Sequence, residues 1–300
     1  MLDSVILAQI LWTGIATASP YVLMTIGFAL TLKVTGLWNF AHAGLMAIAF
    51  YTMFGAINFL GMPVVVALGL AIVTTGAAAL AIEVYGLQVL RDRGSGNLTF
   101  FIFTLILSEF IIYVITLLFG TEPETLFKSI LSPVSIIANV AVSDWDVLAI
   151  CAAGSGLLAL YAFLTWTREG QFLGAVADNA RLAELYGISA RRAWRVTSIV
   201  AALFIVASMY LIGTHGGVVP NSPLELILTA VIGTLLGGIG RVFAAAAAAV
   251  FLGLIQSFSI LVIGSRWQNL LLYGVLFAAI LIFPRGVRLP RFRFTMLAGR

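Results

Sequence analysis

Long apolar stretches separated by short polar connections dominate this chain. A helix needs roughly 20 apolar residues to cross the hydrocarbon of a bilayer. The seventh and ninth stretches contain only 16 and 17 residues, so the prediction allows for eight to ten spans. The pattern predicts about nine membrane-spanning helices: residues 5–32, 37–60, 64–90, 98–119, 147–166, 196–214, 224–239, 242–263 and 267–283.

The distribution of basic residues tests this count, because Lys and Arg concentrate on the cytoplasmic side of a membrane. With the N-terminus outside, nine crossings place 14 of the 16 basic residues inside and leave only Lys128 and Arg266 outside. If residues 224–239 formed a re-entrant hairpin instead, Arg241 and the arginine-rich tail would lie on the wrong side. The charges therefore predict an external N-terminus and a cytoplasmic C-terminus.

Composition places the chain in the same class. Hydrophobic residues make up 62% and charged residues 9%, with a mean hydropathy of +1.12, whereas soluble domains carry roughly 25% charged residues. We therefore expect an all-α integral membrane protein, a single domain over 1–300, with a cytoplasmic loop at 168–195 and an external, periplasmic loop at 120–146. Two histidines and one cysteine argue against a His/Cys metal site.

Ionisable groups at membrane depth are costly and are therefore candidates for function. Glu109 lies at the middle of the fourth stretch. It could pair with a hydroxyl or backbone group of a neighbouring helix, or it could act in transport, and the sequence leaves both open. Glu83 lies two turns before Arg91, near the predicted cytoplasmic side, where a hydrogen bond or ion pair between two helices is the commoner explanation.

The stretch "GLWNFAHAGLMAIAFYT", residues 36–52, places polar side chains inside an apolar segment. Asn39 and His42 are three residues apart and so are predicted to share one helix face, with Gly44 close by. With Lys33 at the cytoplasmic edge, His42 would lie roughly 13 Å deeper. His42 could be a packing donor, or with Asn39 it could line a polar path for a solute.

Residues 168–195 are the most polar part of the chain, with eight charged side chains among 28 residues. Within them, "DNARLAELYG" predicts a short helix that Asp178 or Asn179 caps and that Gly187 ends in the left-handed conformation. One interpretation is an amphipathic helix on the lipid headgroups. The other is a helix that docks into a groove on a partner protein. Its apolar edge consists of Leu182, Leu185 and Tyr186.

Several enzymatic and transport classes lack their usual signals in this sequence. No Gly-Lys-Ser/Thr follows the glycine-rich region near residue 238, so the chain cannot hydrolyse ATP through a P-loop. Nothing in the sequence pairs Glu83 with Glu109 as a catalytic carboxylate pair, and we predict no catalytic residues. No internal repeat of the kind common in secondary transporters is evident.

The polar stretch in the second span resembles a family signature. "LWNFAHAGLMAIAFYT" is similar to the "I-N-F-A-H-G" motif of permease subunits of branched-chain amino acid ABC importers. The resemblance covers nearly the whole chain, including "IEVYGLQVLRDR", "GQFLGAVADNARLAELYGISARRAWRV" and "VIGTLLGGIGRVFAAAAAAVFLGLIQSF". The chain departs from the family at Ala43, where glycine is usual, and near Phe172, where an arginine of the loop is absent.

The resemblance implies a type II importer-like permease of the bacterial inner membrane. Its implied partners are a second homologous permease, two cytoplasmic ATPase subunits that bind ATP and Mg, and a periplasmic substrate-binding protein. This chain itself would bind no cofactor and no metal. The implied solute is a branched-chain or other hydrophobic amino acid, or a related small solute such as urea, a short amide or an aromatic acid. Which solute is carried, and whether the permease pair is a homodimer or a heterodimer, stay open.

The resemblance also suggests roles for particular residues. The alternative to the importer function is a self-sufficient secondary transporter that uses Glu109 for ion coupling. The predicted substrate path consists of Asn39, Phe40, His42, Gly44 and Glu109, and the predicted ATPase-coupling residues are Asp178, Asn179, Arg181, Leu182, Ala183, Glu184, Leu185 and Gly187.

Overall fold

The structure is a computed structural model that describes residues 4–127, 134–137, 139–262 and 267–282. Its described part is mostly helical, with two π-helical segments, Gly55–Phe59 and Ile82–Leu87, and two short strands. The α-helices are α1 (Ser4–Thr35), α2 (Ala41–Phe54), α3 (Val64–Ala81), α4 (Gln88–Asp92), α5 (Asn97–Phe119), α6 (Asp144–Trp166), α7 (Arg168–Leu185), α8 (Ala190–His215), α9 (Ser222–Gly237), α10 (Val242–Val262) and α11 (Gln268–Ile282).

Seven helical runs in the described part of the chain are long and apolar enough to cross a membrane. They correspond to seven of the nine predicted stretches. The other two stretches contain α9 and α11. Helix α9, of 16 residues, falls short of the length that a perpendicular crossing needs, and α11 has 15 described residues, with residues 283–300 outside the described part of the chain. Seven candidate spans are therefore supported by length and composition, and the count of nine stays a prediction.

The two ends of the bundle differ in character. At one end, which we call the hairpin end, the Trp12 indole donates to Asp146 (3.0 Å), so the start of α1 lies beside the start of α6. At the other end, which we call the loop end, Lys33 and Arg241 line one cavity beside the end of α6. The chain thus passes from the hairpin end, where Val218 pairs with Glu124, to the loop end across the short helix α9.

The described basic residues gather at the loop end, together with residues 168–195. This is the asymmetry on which the predicted orientation rests. Lys128, Arg266 and the C-terminal residues 283–300 lie outside the described residues, and so does the predicted cytoplasmic C-terminus. The orientation in a membrane therefore stays a prediction.

The predicted external loop contains a feature that the all-α expectation lacked. Strands β1 (Val134–Ile137) and β2 (Val140–Ser143) pair as an antiparallel hairpin, with Asn139 in the left-handed conformation (φ 64°) at its turn. β-Branched residues on both sides of an Asn-containing turn favour this structure over a helix. The Gln9 side chain holds β2 by exchanging two hydrogen bonds with the backbone of Ala141 (2.7 and 3.1 Å).

Helices α1 and α2 form the centre of the bundle. Helix α1 packs against α6, α8, α9 and α10, whereas α2 packs against α3, α5, α8 and α9. Small residues permit the closest contacts. A Cβ on Gly237 would lie 2.3 Å from the backbone nitrogen of Ala245, and one on Gly253 would lie 2.4 Å from the Cβ of Ala18. Van der Waals packing of this kind is the main attraction between helices in lipid.

Candidate translocation path and coupling loop

The start of α2 differs from the sequence prediction. Gly36 (φ +70°) reverses the chain after α1, and α2 begins only at Ala41. The Asn39 side-chain oxygen accepts the Ala41 N–H (3.1 Å). Asn39 therefore precedes the helix and does not share a helix face with His42, so that prediction is wrong. The first N–H groups of a helix lack acceptors within it, and an asparagine just before the helix supplies one.

His42 is 2% exposed and has a partner on each ring nitrogen. Its Nδ1 lies 3.0 Å from the Asn39 carbonyl oxygen, and its Nε2 lies 3.3 Å from the Thr31 hydroxyl. A carbonyl only accepts, so Nδ1 carries the proton in its bond to Asn39. The single hydroxyl proton of Thr31 is available either to Nε2 or to the Gly27 carbonyl, which lies 3.0 Å away. Since Thr31 is two residues from Lys33 on α1, about 3 Å along the axis, the depth expected from a straight count is also wrong. The reversal at Gly36 is the reason.

Asn39 and His42 line one small cavity together with Ser198 of α8. The cavity measures about 10 Å³, enough for about one water molecule and far below the roughly 300–1,000 Å³ of small-molecule sites. The partners on both ring nitrogens favour the packing interpretation of His42. A place for Asn39 and His42 in the substrate path stays a prediction. The remaining lining residues are Leu45, Ala79, Ile82 and Leu87.

The other two predicted path residues of this stretch join α2 to α5. The Phe40 N–H donates to the Thr104 hydroxyl (3.2 Å), and its ring meets that of Phe101 edge to face at 5.1 Å. Gly44 lets the helices approach, because a Cβ there would lie 3.0 Å from the Ile111 side chain. The start of α2 is therefore in close contact with α5 between Phe101 and Ile111.

Glu109 lies at the middle of α5 on the face turned away from the chain. The buried face of α5 carries Thr104, Ser108 and Ile112, whereas Glu109 is exposed between the apolar side chains of Ile106 and Tyr113. The described residues offer its carboxylate no hydrogen bond or ion pair. The pairing interpretation thus finds no partner within the described part of this chain.

The loop helix predicted within residues 168–195 is present and capped at both ends. Helix α7 has a break at Asn179 (φ −160°, ψ 102°), whose side chain accepts the Leu182 N–H (3.0 Å). Asn179, and not Asp178, is therefore the cap. At the other end Gly187 adopts φ +80° and donates to the Glu184 carbonyl (3.0 Å). Residues 180–185 form a separate short helix, which we call the loop helix.

The loop helix presents an apolar edge that the described residues of this chain leave uncovered. Leu185 is 84% exposed, Leu182 51% and Tyr186 78%. Ala183 is buried against the rest of the chain, which fixes the direction of the edge. The charged members of the predicted coupling set, Asp178, Arg181 and Glu184, are exposed beside it.

A cluster of polar contacts connects the loop end of α3 and α4 to the start of α8. Glu83 forms an ion pair with Arg91 of the same helical run, whereas the sequence predicted a partner on another helix. The Arg91 guanidinium lies 4.0 Å from the centre of the Trp194 ring, and Arg195 donates to the Gln88 side-chain oxygen (3.1 Å). Trp194 and Arg195 were absent from the predicted site because no local pattern ties them to a segment a hundred residues earlier.

Comparison with known proteins settles the family. The family model described as "Branched-chain amino acid transport system / permease component" matches residues 10–281. The chain belongs to this permease family. The resemblance read from its motifs is thereby confirmed, and the described helices make it a multi-pass membrane protein.

Curated relatives match the permease over nearly its whole length. It is 25% identical over 292 residues to the high-affinity branched-chain amino acid transport system permease protein BraD of Pseudomonas aeruginosa, covering 93% of this chain and 94% of that one. It is 24% identical over 292 residues to the corresponding protein LivH of Escherichia coli, with the same coverage. The autoinducer 2 import system permease protein LsrC of Klebsiella pneumoniae is 30% identical over 173 residues, 55% of this chain and 48% of that one.

A solved structure shares the fold of the permease. A chain of PsaBC from Streptococcus pneumoniae, determined in complex with Fab, superposes with a TM-score of 0.52 at 16% identity. The match covers 95% of the permease and 97% of that chain. At this identity the likeness concerns the fold alone.

Proposed function

We propose that this permease is the membrane subunit of an ATP-driven importer in the bacterial inner membrane, and that its solute is a branched-chain or other hydrophobic amino acid. The family and the two nearly full-length relatives support the solute class. The half-length likeness to an autoinducer 2 permease concerns a different solute. The motif resemblance keeps urea, short amides and aromatic acids as alternative solutes, and the binding protein that accompanies the permease in the test below would distinguish them.

The exposed edge of the loop helix is the observation that carries the proposal. Leu185 and Leu182 project from a helix whose two ends are capped and whose Ala183 is held against the bundle. An apolar edge on a rigid helix suits a groove on a partner protein. Two ATPase subunits that bind ATP and Mg would each receive such a helix, one from this permease and one from a homologous companion.

Glu109 supports a translocation path at the interface between the two permeases. A charged side chain facing lipid at the bilayer centre costs about 3 kcal/mol, and Glu109 is exposed without a partner among the described residues. A companion permease against the outer face of α5 would exclude lipid and leave a polar passage. A periplasmic binding protein would deliver the solute at the hairpin end.

Affinity purification from the native membrane, with mass spectrometry of the proteins that accompany the permease, tests this assignment. Burying a leucine contributes about 1.5–3 kcal/mol, so Leu185→Asp should reduce the recovery of ATPase subunits at least about tenfold. Leu60→Asp is the matched control. Leu60 is also largely exposed, at 64%, and it lies far from the loop helix in the chain, in the turn that follows the π-helical segment Gly55–Phe59.

The outcomes separate the candidate functions. ATPase subunits that accompany the unaltered protein and the Leu60 variant but not the Leu185 variant support both the importer and the docking role. Equal loss from both variants contradicts docking through the loop helix. A permease that purifies alone and takes up solute into vesicles without ATP is instead a secondary transporter, and Glu109→Gln then tests ion coupling.

A further inference from the structure

The helical run from α3 to α4 contains a π-helical segment, Ile82–Leu87, at its loop end. Such insertions widen one turn and occur often at functional sites. This one carries Glu83, whose side chain is 1% exposed, in an ion pair with Arg91, which is 13% exposed. A buried ion pair is weak evidence for stability, since desolvation offsets most of the attraction. The Glu83–Arg91 pair therefore suggests a role other than stabilising the fold.

Arg91 and its neighbours make three contacts with the first turns of α8. The Arg91 guanidinium stacks on Trp194 at 4.0 Å, Gln88 accepts from Arg195, and Asp92 accepts from Arg191 (2.9 Å). These α8 residues follow the loop helix after only a short turn that Gly187 begins. A displacement of the loop helix would therefore reach the segment through α8.

Two further residues of the segment contact α5 and the Asn39–His42 cavity. A Cβ on Gly86 would lie 2.7 Å from the Phe103 ring of α5, so segment and helix are in direct contact. Leu87 lines the small cavity that contains Asn39 and His42. Phe103 is less than two turns from Glu109 on α5. The segment thus lies between the part of the chain that would dock the ATPase and α5, whose Glu109 would face the proposed passage.

The cluster also contains unused hydrogen-bonding capacity. Glu83 Oε2, Gln88 Nε2 and Arg91 Nη2 are buried and have no partner among the described residues. Buried polar atoms are normally satisfied, and a guanidinium presents five donors in a planar fork that can bind a carboxylate through two of them. The cluster therefore has donors and an acceptor with which a shifted α3, α4 or α8 could form further hydrogen bonds.

We propose that Arg91, held between Glu83 and Trp194, is a positioning residue that transmits movement of residues 168–195 to α5 and to the Asn39–His42 cavity. The proposal rests on the importer function proposed above. In this proposal the cluster couples ATP hydrolysis to solute movement. Arg91 itself contacts neither solute nor nucleotide.

The test uses the permease reconstituted in vesicles with its ATPase subunits, its companion permease and its binding protein. Uptake and ATP hydrolysis are measured in the same vesicles for Arg91→Met, Trp194→Leu, Arg91→Lys and the control Arg93→Met. Arg93 is an exposed arginine of the same turn. For Arg91→Met and Trp194→Leu we expect the ATPase subunits to remain bound and basal hydrolysis to stay within about twofold. We expect uptake per ATP to fall at least tenfold. Arg91→Lys keeps the charge but loses the planar stack, and it should restore only part of the uptake.

A double variant separates coupling from folding. Arg91→Met alone leaves the Glu83 carboxylate buried without its partner, which can reduce the yield of folded protein. Adding Glu83→Gln removes that charge. If the double variant recovers both yield and uptake per ATP, the pair is only structural and the proposal is overturned. If yield recovers and uptake per ATP stays low, the proposal stands.

The failure of this proposal differs from the failure of the importer function. Unaltered permease that shows no ATP-dependent uptake with its partner subunits refutes both. Unaltered permease that transports, together with Arg91 and Trp194 variants that couple normally, refutes the coupling role alone.

Discussion

Replacement of His42 distinguishes the two roles that the sequence left open for it. In His42→Leu, the Asn39 carbonyl loses its bond from Nδ1 (3.0 Å) and keeps only the longer contact with the His42 backbone N–H (3.5 Å). Thr31 keeps its bond to the Gly27 carbonyl (3.0 Å). A lost hydrogen bond costs about 1 kcal/mol net, and a buried acceptor left poorly satisfied costs about 1–3 kcal/mol. The second value applies here because one partner is removed, so the free energy of unfolding should fall by roughly 1–3 kcal/mol.

His42→Asn is the matched control, because an asparagine amide can occupy the position of Nδ1 and donate to the same carbonyl. It loses only the contact with Thr31 and should cost about 1 kcal/mol. Thermal unfolding in detergent measures both variants, and each kcal/mol corresponds to about 2–4 °C in Tm for chains of comparable size. Uptake in vesicles, normalised to folded protein, is measured beside it.

Two results would refute this interpretation of His42. One is a leucine variant that unfolds at the temperature of the unaltered protein. The other is an asparagine variant that keeps its Tm but loses uptake as completely as the leucine variant, because His42 would then contact the solute.

Two further predictions concern Glu109 and Gly237. Glu109→Gln should leave Tm unchanged, since the side chain is exposed and unpaired among the described residues, while reducing uptake severalfold; normal uptake in vesicles would exclude Glu109 from the path. Gly237→Ala places a Cβ 2.3 Å from a backbone nitrogen of α10 and should cost about 1–3 kcal/mol through overpacking. In contrast, Gly69→Ala in open space on α3 should be neutral or gain up to about 1 kcal/mol, and equal Tm values for the two alanine variants would contradict the packing described for α9 and α10.

Local signals predicted the loop helix well. Its cap at Asn179 and its stop at Gly187 depend on side-chain and backbone preferences within a few residues, and both are present. The sequence predicted a structural partner for Glu83 on another helix, whereas Arg91 belongs to the same helical run. The contact between Arg91 and Trp194 was not predicted, since it depends on how α8 packs beside the run.

The start of the second span could not be predicted from local patterns. Its apolar pattern is continuous from residue 37, yet α2 begins at Ala41 because the chain reverses at Gly36. Gly36 offered a signal for that turn, since glycine tolerates positive φ. The pattern of apolar residues does not reveal this turn, because most residues of a turn that packs among helices are as apolar as those of the helix that follows.

The amino-acid sequence by itself determined the class of the protein, the positions of seven long apolar helices, the separation of charge between the two ends and the family. These depend on transfer of apolar surface into lipid and on short-range preferences, which are properties of consecutive residues. Only the tertiary structure decided that His42 is enclosed with a partner on each nitrogen, that Glu109 faces away from the chain and that Arg91 meets Trp194. In lipid every face of a helix can be apolar. The direction of a side chain is therefore set by close packing between helices, which no periodicity in this sequence records.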